Sequence, residues 1–198
     1  MPEVIEAIRA GKPVLLPTDT VYGLCATPYR SEATELIYRL KGREATRPTA
    51  IIATDLDFLF ELVPELHGLT GTILRAILPG PYTLVVPNPA RRYRWLTGSR
   101  PDTIGVRVPV LPEQASWIVE RVGAIVATSA NLAGGPDPRR LEDVPEEIRS
   151  RVAVAVDGGE LPGVPSTVLD LTDDEPVVLR EGAVAAKDAL AAVRQAVG

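Results

Sequence analysis

Three cations, Lys41, Arg43 and Arg47, follow one another where a helical pattern gives way to a loop. Cations at such a place suit the negative end of a helix dipole. Arginine also suits forked contacts with phosphate oxygens, so Arg43 and Arg47 are readable as phosphate ligands beside that capping role. The chain has neither G-x-x-x-x-G-K-[ST] nor G-x-G-x-x-G. A nucleotide bound here must therefore be held by side chains, because no glycine-rich backbone cradle is encoded.

Small polar groups recur at the ends of apolar runs. Pro17-Thr18-Asp19-Thr20-Val21-Tyr22-Gly23 crowds hydroxyls and a carboxylate into one turn, and Thr128-Ser129-Ala130-Asn131 closes another run. Both read either as hydrogen-bonded turns or as the lining of a ligand crevice at strand ends. In Thr103-Ile104-Gly105-Val106-Arg107 the period of two puts Thr103, Gly105 and Arg107 on one face. Ile104, Val106 and Val108 take the other, the expected core face. Ser166-Thr167-Val168-Leu169-Asp170 reads as a hairpin start, and Leu179-Arg180-Glu181-Gly182 as a strand-end turn. Arg91-Arg92-Tyr93-Arg94-Trp95 interleaves cations with aromatics, which suits stacked bases or a solvated loop with one buried Trp.

The elements expected to position these residues alternate irregularly. Helices are expected over 2–10, ended by Gly11, over 32–41 capped by Ser31, over 55–62, 65–78, 112–122, 142–150 and 187–197. Strands are expected over 14–16, 50–53, 82–86, 103–108, 124–127, 152–156, 167–171 and 177–179. This mixture lacks strict βαβ order, so it predicts an α/β fold: a twisted mixed sheet with packed helices and an open ligand cavity, one domain over 1–198.

Bulk composition narrows the function classes. A net charge of −5 argues against an obligate nucleic-acid binder, though a local basic cleft is compatible with it. Cys25 is the only cysteine and His67 the only histidine, so neither an internal disulfide nor the usual zinc chemistry is encoded. Cys25 reads as a buried inert thiol and His67 as a surface position on a helix. No apolar stretch reaches the length of a membrane span and no signal peptide opens the chain, so the expected location is the cytoplasm.

Taken in order, Pro17 to Gly23, Lys41-Gly42-Arg43, Thr103 to Pro109, Ser129-Ala130-Asn131, Ser166-Thr167-Val168 and Leu179-Arg180 resemble the YrdC family of threonylcarbamoyl-AMP synthases. The resemblance runs over about residues 12–182. It implies a twisted α/β fold with a cavity for ATP and L-threonine, in the single-domain form. It implies that Thr20, Arg107 and Ser166 contact threonine. Lys41, Arg43, Arg47, Thr103, Ser129, Asn131 and Arg180 would contact ATP, with Lys41 and Arg43 catalytic. The chain departs from the family at Glu44, where Pro is frequent, at Ile52, where some members carry His, and at Asp137-Pro138-Arg139, where the family has Ser-Pro-Thr. Residues 170–174 with Arg180-Glu181-Gly182 are similar to a paralogous branch, YciO. That branch tends to lack both Lys-Gly-Arg and Ser-Ala-Asn; this chain has both, which places it with the synthases.

The implied reaction joins L-threonine, bicarbonate and ATP into threonylcarbamoyl-adenylate and pyrophosphate, for N6-threonylcarbamoyladenosine modification of tRNA. Mg²⁺ is expected to bridge phosphate oxygens while keeping several waters, with no carboxylate cage of the protein's own. The implied partners are downstream proteins that transfer the threonylcarbamoyl group to tRNA. Two rival readings stand beside this one. The first is a YrdC/YciO-like protein that binds tRNA or double-stranded RNA without synthase activity, resting on Arg91, Arg92 and Arg94. The second is a carbamoyl-transfer module like that of hydrogenase-maturation proteins, where it is fused to other domains.

Overall fold

The computed structural model describes residues 1–198. Nine strands form one mixed sheet: β1 (Val14–Pro17), β2 (Tyr22–Ala26), β3 (Ala50–Ala53), β4 (Tyr82–Pro87), β5 (Thr103–Arg107), β6 (Ala124–Ser129), β7 (Val154–Ala155), β8 (Thr167–Asp170) and β9 (Val177–Arg180). Their spatial order is β7-β1-β2-β6-β3-β5-β4-β8-β9. Pairs β1–β7, β3–β5 and β4–β8 are parallel, and the others are antiparallel. Seven helices pack on this sheet: α1 (Pro2–Arg9), α2 (Ser31–Lys41), α3 (Leu56–Leu62), α4 (Gly68–Ile77), α5 (Glu113–Val122), α6 (Glu146–Arg149) and α7 (Ala186–Val197). No helix is long and apolar enough to cross a membrane.

The two faces of the sheet are covered unequally, and this makes the site. One face presents Leu24, Ile51, Leu84, Ile104, Val106, Val126 and Leu169 to α2, α3, α4 and α7, in an apolar cluster of 33 buried residues. The opposite face has a second cluster of only 12, where α1 and α5 cover Val14, Leu16, Cys25, Ile52 and Ile125. The rest of that face is not covered by a helix. Its inward positions along β2, β3, β4, β5, β6 and β8 are Gly23, Ala50, Thr83, Val85, Thr103, Gly105, Arg107, Ala127, Ser129 and Val168, and they form the floor of a cavity. Small and polar side chains occupy these positions because no apolar layer packs against them.

The expected architecture is observed, with local corrections. The polar run at Pro17–Gly23 is not a turn throughout: the turn spans 18–21, and Tyr22 opens β2, which is buried along its whole length. Ser31 is the first residue of α2 and makes no capping bond; Arg30 holds the cap position. Asp55 does cap α3, accepting from the Phe58 N–H at 2.8 Å. The single helix expected over 142–150 is a short 3₁₀ turn at Leu141–Asp143 followed by α6, because Pro145 cannot continue the first turn. Strand pairing near residue 154 is limited to two residues, and β6 runs on to Ser129.

Candidate active site

The cavity above the open sheet face holds about 1250 Å³ of space, its mouth included. Of the residues expected to act, Thr20, Arg43, Thr103, Arg107, Ser129, Ser166 and Arg180 line it together. Lys41 and Asn131 stand behind the wall, and Arg47 lies exposed on the loop between α2 and β3.

Gly42 separates the two cations beside it. It takes a left-handed φ of 61° as the C-cap of α2, a conformation glycine adopts without a Cβ penalty. Lys41 remains helical and is 3% exposed. Its ammonium donates to the Ser129 carbonyl at 2.5 Å, the Asn131 carbonyl at 2.7 Å and Asn131 Oδ1 at 2.6 Å. All three ammonium protons are thus used on the end of β6 and the turn after it. Burial, reinforced by Arg43, pulls the Lys41 pKa down to about 8. Asn131 is held in turn by the Ser129 hydroxyl, which donates to its Oδ1 at 2.7 Å, and by its own amide, which donates to the Gly135 carbonyl at 2.5 Å.

Arg43, past the glycine, swings into the wall. Nη1 donates to Thr128 Oγ1 at 3.2 Å and Nη2 to the Pro48 carbonyl at 2.6 Å, while Nε is buried without a partner. Burial lowers its pKa from the ordinary value; Tyr38 opposes that shift, and Arg47 and Arg180 add to it. Arg180 reaches across from β9, donating through Nη2 to the Ser166 carbonyl at 2.8 Å and to Ser166 Oγ at 3.3 Å. Burial and the neighbouring Arg107 lower its pKa, while Asp137 raises it. Neither Arg43 nor Arg180 is in an ion pair, so two cations face one cavity and their charges oppose each other.

A hydroxyl cluster adjoins Arg180 and completes the wall. Thr18 Oγ1 donates to the Val21 carbonyl at 2.7 Å and lies 3.1 Å from Thr20 Oγ1, so the expected hydrogen-bonded turn and the expected cavity lining are the same segment. Ser166 Oγ lies 2.7 Å from Thr83 Oγ1. A Cβ on Gly182 would collide with the Pro165 carbonyl and Ser166 backbone, so glycine there lets the turn after β9 close on Ser166. Arg107 donates through Nη2 to both Asp19 oxygens, at 2.8 and 3.0 Å, and through Nε to the Tyr82 carbonyl at 3.2 Å.

Sequence reasoning did not single out Thr83, Val85 or Arg100, which also line the cavity. Alternation along β4 carries the signal for Thr83 and Val85, since Leu84 and Val86 alternate with them into the core. Arg100 sits in an irregular loop with no period to read and pairs with Asp170 at 2.7 Å. Cys25 is fully buried, and burial pushes its thiol up to about 12, which suits the inert role. His67 is exposed at the N-cap of α4, outside the cavity. The arginine-rich segment is largely spent on local pairs: Arg91 with Asp102 at 2.7 Å, and Arg92 with Glu65 at 2.8 Å. No group of three or more His, Cys, Asp or Glu side chains gathers to hold a metal.

Residues 6–182 match the family Sua5_yciO_yrdC, described as "Telomere recombination". A threonylcarbamoyl-AMP synthase from Pyrococcus abyssi is 38% identical over 176 residues, covering 88% of this chain and 52% of the relative. The crystal structure of P. abyssi Sua5 complexed with L-threonine is similar at a TM-score of 0.87, with 36% identity, covering 98% of this chain and 56% of that one. The crystal structure of Escherichia coli YciO is 30% identical with a TM-score of 0.80, covering 91% of this chain and 87% of that one. The chain thus spans about half the length of the Pyrococcus proteins it matches. With the match running through every segment of the cavity wall, this chain belongs to the Sua5/YciO/YrdC family.

Proposed function

We propose that the cavity converts L-threonine, bicarbonate and ATP into threonylcarbamoyl-AMP and pyrophosphate, a nucleotidyl transfer. The observation that carries this reading is the charge layout. Arg43 and Arg180, both without ion-pair partners, share one cavity with a hydroxyl-lined end built from Thr20, Ser166 and Arg107. Two opposed cations suit a polyphosphate, and the hydroxyl end suits a small polar amino acid. The Pyrococcus relatives, one named for this product and one crystallised with L-threonine, support the same assignment.

In this reading threonine's amine captures bicarbonate-derived CO₂ as a carbamate and releases a proton. A carbamate oxygen then attacks the α-phosphorus of ATP, and pyrophosphate leaves. The carbamate is already an anion, so the second step needs no strong general base. That fits a wall whose titratable side chains are arginines and Asp137. Catalysis rests on positioning and on charge at the phosphates. Arg43 and Arg180 take the phosphates, and Thr103 and Ser129 fix the nucleotide. Lys41 and Asn131 act through Ser129, which they hold from behind, in place of the direct ATP contacts that the resemblance implies for both. Magnesium would come with the nucleotide and would shield charge on its phosphates, beside Asp137, the one carboxylate of the cavity lining. The product passes to proteins that modify tRNA, in the cytoplasm. The RNA-binding alternative loses support from the pairing of Arg91 and Arg92 with carboxylates.

Pyrophosphate release, measured with each of the three substrates omitted in turn, tests the proposal. Dependence on all three is expected. Release that ignores threonine would remove it.

A further inference from the structure

Four arginines line the cavity, and they differ in how much charge they offer. Arg43 and Arg180 bond only to hydroxyl and carbonyl oxygens. Arg107 is instead neutralised: its Nη2 spans both oxygens of Asp19, and the two side chains are 10% and 9% exposed. Asp19 sits behind the wall, so it cancels the charge of Arg107 without occupying the cavity. Nε is tied to the Tyr82 carbonyl, which leaves Nη1 as the guanidinium nitrogen with no protein acceptor. Turn bonds around Thr18 fix the backbone on either side of Asp19.

The consequence is a gradient across one cavity. Around Arg43 and Arg180 an incoming polyanion meets two cations held in no ion pair, with Asp137 the one carboxylate in the wall; Arg180 also reaches Ser166 and so borders the Arg107 side. At the Arg107 end the polyanion meets a net-neutral pair, with a carboxylate just behind. In a partly buried site that carboxylate is felt several times more strongly than it would be in water. A zwitterionic amino acid carries no net charge and loses little there, since its carboxylate needs only a donor, which Nη1 supplies. We infer that Asp19 is a positioning residue that determines anion specificity. It holds Arg107 with one free donor edge and cancels its charge, so that this end accepts an amino acid and refuses phosphate. The inference rests on the proposed threonine subsite and adds what keeps the two substrates from exchanging places.

The test uses the whole chain and calorimetric titration with L-threonine and, separately, inorganic pyrophosphate. Wild-type protein is expected to bind threonine with an affinity that pyrophosphate leaves within about threefold. Asp19→Asn keeps an acceptor oxygen for Nη2 and removes the charge. It is expected to favour pyrophosphate over threonine at least 10-fold more than wild type does, with pyrophosphate now competing against threonine. Asp19→Glu should restore the wild-type preference, which a merely structural role does not predict. Because Asp19→Asn can also weaken folding, a second measurement uses wild-type protein alone. The phosphonate analogue of threonine, doubly charged at mildly alkaline pH, should bind at least 10-fold more weakly than threonine. Unchanged selectivity in a folded Asp19→Asn, or equal binding of the phosphonate by wild type, would overturn the inference while leaving the threonine subsite intact. If wild-type protein binds no threonine, the proposed function falls and this inference falls with it.

Discussion

Replacing Lys41 with methionine separates support from contact. The substitution keeps the length and apolar stem of the side chain and removes the ammonium that bridges α2 to the end of β6. Three acceptors lose a donor. Asn131 Oδ1 keeps the Ser129 hydroxyl at 2.7 Å, so the loss falls mainly on the carbonyls of Ser129 and Asn131. Leaving two buried carbonyls short of a donor costs about 2–4 kcal/mol. Removing the ammonium also removes its own desolvation cost, which offsets part of this. A net loss of about 2 kcal/mol in a chain of this size lowers the Tm by roughly 4–8 °C. Relaxation of the Ser129 turn should also lower kcat/KM for ATP by about 10²-fold, the scale of a 1 Å misplacement. A thermal melt of ligand-free protein and steady-state pyrophosphate release read the two effects. A melt within about 1 °C of wild type, with ATP binding nonetheless lost, would refute the support role and return Lys41 to the phosphates.

Arg43→Ala should lower turnover by roughly 10²–10³ while moving the melt little, because the lost bonds to Thr128 and Pro48 are offset by relief of a buried unpartnered Nε and of repulsion from Arg47 and Arg180; activity within threefold of wild type would count against the phosphate assignment. Ser166→Ala should raise the KM for threonine about 10-fold, since it removes the hydroxyl that Thr83 and Arg180 orient; a change confined to the KM for ATP would mean that the two ligands are assigned to the wrong ends. Gly105→Val should fold, because a Cβ there meets Ala50 at an ordinary 3.4 Å, yet its methyls enter the cavity floor and should abolish binding of both ligands; intact binding in calorimetry would place the floor elsewhere. Lys41 is charged below a pKa of about 8 and loses its charge above it, so affinity for a non-hydrolysable ATP analogue should fall as pH rises from 7 to 9.5, whereas Lys41→Arg, which does not titrate there, should stay flat; parallel profiles would exclude Lys41 as the titrating group.

Much of this architecture is legible in the chain because alternation survives wherever one sheet face is buried and the other lines the cavity. Thr103, Gly105 and Arg107 show this against Ile104, Val106 and Val108. Strand β2 is not legible, because Tyr22 to Ala26 is buried on both faces and carries no period of two. The grouping of Thr20, Arg43, Arg107, Ser129, Ser166 and Arg180 comes from the ordered resemblance, since each short motif alone fits an ordinary turn. What the chain does not display is direction. Lys41 and Arg43 are near neighbours of like charge, and only the left-handed Gly42 sends one behind the wall and the other into it. The Asp19–Arg107 pair joins residues 88 apart, and Thr83 meets Ser166 across 83, separations that no local pattern encodes.

The central claim is that one cavity joins all three substrates in a single product. Mass spectrometry of the nucleotide product tests it most directly, with ¹³C-bicarbonate and uniformly ¹³C-labelled L-threonine supplied in separate reactions. The account predicts one adenylate that gains a single labelled carbon from bicarbonate and the full threonine label in the other reaction. Pyrophosphate release accompanied only by unlabelled AMP, or an adenylate carrying threonine without the bicarbonate carbon, would contradict it.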